Sequence, residues 1–112
     1  MPRHEERRTL PFSAEELYAV VVDVDRYPEF LPWCLGARIF KRAPNQFWAD
    51  LIIGFKMFRE KFTSHVHLDP VKSIEVSYVD GPLKYLHNRW DFMPEPNGHC
   101  TIDFVVDFQF KS

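Results

Sequence analysis

The sequence predicts an α+β domain: a short strand, one amphipathic helix, a compact aromatic connector, and a meander of about six antiparallel strands. Three observations carry that reading. Leu17, Val20, Val21 and Val24 recur at i, i+3, i+4 and i+7, which marks one apolar face of a helix. After Gly36 the apolar residues alternate with polar ones, the period of a half-buried strand. Between the two lies Asp25 to Leu35, DRYPEFLPWCL, whose Pro28 and Pro32 forbid both a regular strand and a long helix.

Each element has its own justification. Arg3 to Leu10 mixes charges of both signs and reads as a polar edge strand, because charge there discourages edge-to-edge pairing. Ser13 followed three residues later by Glu16 is a capping box, and it starts the helix. Asp23 and Asp25 fall where the helix dipole disfavours anions, so the helix stops there. Asp25 is placed to cap a short turn that tolerates Pro28, and Pro32 ends it. That connector gathers Tyr27, Phe30, Leu31 and Trp33 at one spot, as a plug on the core or as the rim of an apolar ligand cavity.

Strands are then expected at Ala37–Arg42, Gln46–Ile53, Met57–Leu68, Ser73–Asp80 and Leu86–Met93. One face of them carries Phe47, Ala49, Leu51 and Ile53, then Phe58, Phe62, Val66 and Leu68, then Ile74, Val76 and Tyr78, then Leu86, Trp90 and Phe92. Pro94-Glu95-Pro96-Asn97-Gly98 reads as a hairpin loop with an Asn-Gly turn. The last strand sets Ile102, Phe104, Val106, Phe108 and Phe110 against Asp103, Val105, Asp107, Gln109 and Lys111. One helix of about three turns cannot cover six strands. Either a further element covers the sheet or a hollow is left beneath the helix.

The bulk composition narrows the function classes. A length of 112 residues predicts one domain, 1–112, large enough to fold without a metal or disulfide. The 11 Phe, 4 Tyr and 3 Trp exceed what a small core needs and favour a wide, aromatic-lined interior. A net charge of −2 supplies no global field toward DNA. Cys34 and Cys100 lie far apart and are read as reduced thiols, a single disulfide being the unsupported alternative. The charged N-terminus has no signal-peptide pattern, and no apolar run approaches the ~20 residues of a membrane span. The expected location is the bacterial cytoplasm or the periphery of the inner membrane; a processed mitochondrial chain would look the same.

At this point the residues resemble a known family. RHEERRTLPFSAEELYAVVVDVDRYPEFLPWC at 3–34, GPLKYLHNRWDF at 81–92 and DFVVDFQFKS at 103–112 are similar to the coenzyme Q-binding protein family, with YPEFLPWC the most specific piece. That family lies in the START and polyketide-cyclase-like superfamily and overlaps the bacterial ribosome-association toxins. The resemblance implies a helix-grip fold: a curved antiparallel sheet of six to seven strands with helices over its concave face. It implies a lipid-binding domain, not an enzyme, with no cofactor and with ubiquinone as bound ligand, serving respiration and ubiquinone biosynthesis. The family pattern continues past DFQFKS with a long C-terminal helix, and this sequence stops at Ser112 before it, so the expectation is a groove lacking that cover.

The ligand-lining residues expected on this reading are Phe30, Leu31, Trp33, Phe47, Leu51, Phe62, Tyr78, Trp90, Phe104 and Phe108. Glu60, in phase with Phe58 and Phe62, and Asn88, between Leu86 and Trp90, are the candidate polar contacts to a quinone head; the alternative is a strand end near solvent. His65-x-His67 puts two imidazoles on one side of a strand, but zinc wants three or four ligands and none completes the set, so no metal is expected. Asp23, Asp25 and Glu29 sit at a helix end, where carboxylates cap turns more often than they catalyse. Arg38, Lys41 and Arg42, with Lys56, Arg59 and Lys61, form modest basic clusters that suit a solvated face, anionic headgroups or ribosomal RNA. Lys84, beside aromatics in GPLKYL, is a candidate membrane or ligand contact, and no Gly-rich phosphate loop is present. The competing functions are a ribosome-associated protein that blocks subunit joining, and a polyketide-cyclase-like enzyme needing a titrating pair in its cavity.

Overall fold

In the computed structural model, which describes residues 3–55 and 57–111, the chain runs β1 (Arg3–Leu10), α1 (Ala14–Val22), a 3-10 turn (Val24–Glu29), then β2 (Cys34–Ala43), β3 (Gln46–Phe55), β4 (Phe58–Asp69), β5 (Ser73–Asp80), β6 (Leu83–Pro94) and β7 (Cys100–Phe110). Lys56, and the side chains of Phe58 and Phe110 expected on the inner face, lie outside the described residues. The strands form one antiparallel sheet of seven, in the order β1-β7-β6-β5-β4-β3-β2. The α+β helix-grip architecture expected from the sequence is therefore present.

This order has a consequence for the site. β1 and β2 are the two opposite edges of the sheet. The chain between them, residues 11–33, must cross the whole face of the sheet, and it carries α1 and the aromatic connector with it. The helix and connector are thus suspended over the sheet by topology as well as by packing.

Local chemistry explains the elements. The capping box at the start of α1 is formed: the Glu16 amide donates to Ser13 Oγ at 3.1 Å and the Ser13 amide donates to Glu16 Oε1 at 3.2 Å. The helix ends at Val22, slightly earlier than the apolar periodicity suggests, and Val24 begins the 3-10 turn. Asp25 does not cap that turn. Its Oδ1 accepts the Ile39 amide at 3.0 Å, tying the connector to β2 instead. β1 is an edge strand held to β7 by charge, with Arg7 clasping Asp103 through two bonds of 2.6 and 2.8 Å.

Two strands begin earlier than periodicity indicates, for one reason. β2 starts at Cys34 and carries irregularities at Leu35 and Phe40; β6 starts at Leu83 and carries one at Lys84. The extra residues at Leu35 and Lys84 break the period-two pattern and conceal the start of the strand before them. The Lys84 region therefore belongs to β6.

The buried core lies towards one end of the inner face. Ala14, Phe47, Ala49, Val66, Ile74, Phe92, Cys100 and Ile102 form it, with the ring of Tyr18 edge-on to Phe92 at 5.6 Å. The N-terminal half of α1 seals this end. Its other half does not close on the sheet.

A candidate ligand cavity

Beyond the core, the C-terminal half of α1 and the connector bridge a cavity of about 500 Å3 above the sheet, within the ~300–1,000 Å3 of typical ligand pockets. The connector is fixed from three sides. The Tyr27 hydroxyl donates to the Val21 carbonyl of α1, and burial pushes its pKa up to about 12, so it stays a proton donor. Asp25 anchors it to β2 as described. At its far end the Gly54 amide of β3 donates to the Trp33 carbonyl at 2.9 Å. Within it, the amides of Leu31 and Cys34 close turns on Tyr27 and Leu31 at 2.9 and 3.0 Å. These bonds hold Phe30, Leu31 and Trp33 in the wall of one cavity.

Among the residues proposed from sequence, Phe30, Leu31, Trp33, Phe47, Leu51, Phe62, Trp90 and Phe104 stand in the cavity wall, as does Asn88. Tyr78 and Phe108 do not. Tyr78 lies behind Phe62, ring centroids 6.5 Å apart, and its hydroxyl accepts the Leu83 amide at 2.8 Å, which turns it to the β5–β6 turn. Phe108 keeps the inner phase but pairs with Leu86 beyond Val106, past the last residue of β7 that reaches the wall. Glu60 is also outside. It keeps the phase of Phe62, but it sits opposite Ile53 near the β3–β4 turn and is exposed, so solvent satisfies it.

Sequence reasoning missed part of the wall. Val20, Val21 and Val24 of the helical face enclose it from above, and Ser64, Val66, Ile74, Val76, Leu86 and Val106 from the sheet. The signal was present, because all of these aliphatic residues lie in phase with the aromatic ones. Choosing the large rings first left them aside.

The wall is nearly without polar groups. Asn88 donates to the Val105 carbonyl at 2.9 Å and accepts the Trp90 indole N–H at 2.9 Å, so both ends of its amide are held. Trp90 stands edge-on to Phe104 at 4.6 Å. Among the described residues, no Asp, Glu, His, Lys, Arg or Cys lines the cavity.

The remaining candidates are elsewhere. His65 stacks on Trp48 at 4.1 Å and contacts Gln46 Oε1 at 2.8 Å on the outer face, with His67 and Lys41 beside it. Burial, then His67 and Lys41, hold its pKa below the usual histidine range. Among the described residues no three His, Cys, Asp or Glu side chains group to hold a metal. Glu29 pairs with Arg26 at 3.1 Å on the surface. Cys34 and Cys100 are free, buried thiols whose pKa burial raises. Among the described residues no helix is long and apolar enough to cross a membrane.

Residues 10–112 match the family model described as polyketide cyclase / dehydrase and lipid transport. The chain belongs to this family. Within it, the chain is 38% identical over 112 residues to the ribosome association toxin RatA of Escherichia coli K12, covering 100% of this chain and 71% of that protein. It is 40% identical over 106 residues to the mitochondrial coenzyme Q-binding protein COQ10 of Drosophila melanogaster, covering 90% of this chain and 43% of that protein. Among solved structures it resembles the 18 kDa protein CC1736 of Caulobacter crescentus, with a TM-score of 0.80 and 40% identity over 100% of this chain and 78% of that one. The polyketide cyclase / dehydrase and lipid transport family thus includes relatives named as quinone binders and relatives named as ribosome toxins, and this chain is close to both.

Proposed function

We propose that the protein binds the prenyl tail of an isoprenoid quinone of the ubiquinone type and carries or shelters it in support of respiration and quinone biosynthesis. The observation that carries this reading is the cavity itself: about 500 Å3, walled by aromatic and aliphatic side chains, with one held amide, Asn88. Tail burial drives such binding, each apolar carbon contributing roughly 0.8 kcal/mol as it leaves water. Asn88 retains one N–H and one lone pair after its two bonds, which suits a head-group oxygen. The quinone is a ligand here, and no catalytic cofactor is invoked. Binding is favoured over cyclase chemistry because an acid–base mechanism needs titrating groups at the reacting atoms, and the one such group in the wall among the described residues, Tyr27, has its pKa pushed up to about 12 by burial and already donates its hydroxyl to the Val21 carbonyl.

The relatives named as ribosome association toxins support a second reading, a ribosome-bound protein without lipid. One experiment separates the two. Purified protein is extracted with organic solvent and the extract analysed by mass spectrometry, alongside sedimentation with ribosomes. Stoichiometric prenylquinone is the expected result. An empty extract from protein that sediments with ribosomes overturns the first reading in favour of the second.

A further inference from the structure

Four of the exposed large apolar side chains, including the most exposed, lie where the connector meets the β3–β4 hairpin. Met57, in the turn between β3 and β4, is 97% exposed, and Trp33, Leu35 and Ile52 are each more than two-fifths exposed. They are neighbours: the Trp33 carbonyl accepts the Gly54 amide at 2.9 Å, and Leu35 lies over Gly54 so closely that a Cβ there would sit 2.4 Å from Leu35 Cδ1. Glycine at 54 makes room for a leucine that then faces solvent. Exposed apolar groups brought together in this way mark an interaction surface.

The charges around the patch say what kind. On the outer side of the same strands, Arg59 pairs in register with Gly54, while Arg38 and Lys61 approach one shared carboxylate, Asp50, at 4.0 and 3.9 Å. On the outer face three cations thus meet one anion beside a protruding apolar tip, while the exposed Glu60 carboxylate keeps the opposite, inner phase of β4. A second copy docked by two-fold symmetry would set these cations against themselves, and a hairpin tip falls short of the roughly 800 Å2 per partner that a stable interface buries. An anionic lipid surface meets both features at once: apolar tips enter the acyl boundary, the indole sits at the interface, and the cations rest among the headgroups.

We propose that the β3–β4 tip, with Met57, Leu35, Ile52 and Trp33 as its inserted edge and Arg59, Lys61 and Arg38 as its cationic collar, docks the protein on anionic phospholipid bilayers. Trp33 also stands in the cavity wall, so docking here brings that side of the cavity to the membrane surface. The docking surface does not depend on which ligand the cavity takes.

The test is flotation of the protein with phosphatidylcholine vesicles, with and without phosphatidylglycerol. Wild type is expected to bind the anionic vesicles and to be released by salt. Met57→Asp/Ile52→Asp and, separately, Arg59→Glu are expected to weaken binding roughly tenfold or more, with far-UV circular dichroism and prenylquinone retention unchanged. Phe12→Asp is the control: an apolar residue about as exposed as Ile52, just past the end of β1, at the opposite end of the sheet. Arg59→Glu carries the test alone if the double variant misfolds. Wild type that ignores anionic vesicles, tip variants that bind as well as wild type, or equal loss in Phe12→Asp overturns the proposal. A self-association lost in Met57→Asp, without vesicle binding, replaces the bilayer with a second copy.

Discussion

The two ends of the sheet's inner face are built from the same strands and differ in one respect, how closely the chain above them approaches. At the closed end, Ala14 and Tyr18 of α1 press onto Phe92, Cys100 and Ile102, and Phe92 is 3% exposed. At the open end, Val20 and Phe30 stand over Leu51, Phe62, Trp90 and Phe104 without filling the space between them. Burial at the first end stabilises the fold. Apolar surface left half-covered at the second contributes less to stability and remains available to a ligand. A small domain that keeps so much aromatic surface unfilled concentrates its stability at the closed end.

The largest expected effect follows from that division. Phe92→Ala should cost about 3–5 kcal/mol, enough to remove most of the stability of a small domain, as measured by urea unfolding. A loss no larger than that of Trp90→Ala would erase the distinction between the ends. Next, Phe104→Lys should abolish prenylquinone retention while the far-UV spectrum and the unfolding midpoint stay near wild type, because the new ammonium has an open cavity to reach water through. Retention unchanged in that variant would move the ligand out of the cavity.

The smallest effect belongs to neither end but to the outer face, and it tests whether that face matters to stability at all. His65 titrates below the ordinary histidine range in the folded protein, so the unfolded chain binds its proton first as pH falls. Stability should therefore decline slightly as pH drops through about 6.5, and His65→Gln should flatten that part of the profile. Asp103, lowered chiefly by its hydrogen bond from Arg7, and Glu75, lowered chiefly by His87, give stability that is present above the carboxylate range and lost as pH falls through it. Thermal melts at stepped pH separate the two.

Much of this was legible in the chain, and the parts that were not share a cause. The capping box at Ser13 and Glu16, the polar edge of β1 and the alternation of Phe104 and Val106 in β7 each depend on residues close in sequence, so local physics decided them. The extra residues at Leu35 and Lys84 interrupted the alternation and hid the starts of β2 and β6. Asp25 read as a local cap because its real partner, the Ile39 amide, lies fourteen residues on and across a turn of the chain. Glu60 and Phe108 had the correct phase and the wrong depth: periodicity tells which face a side chain occupies and says nothing of how far along the strand the covering helix reaches.

The sequence by itself determined the elements, the face each strand turns inward and the aromatic character of that face, because these follow from spacing and side-chain type. Only the tertiary structure decided that β1 and β2 lie at opposite edges, so that residues 11–33 must span the sheet. That crossing, a matter of long-range strand pairing that no local pattern encodes, is what holds the connector above the sheet and leaves a cavity where a packed core would otherwise close.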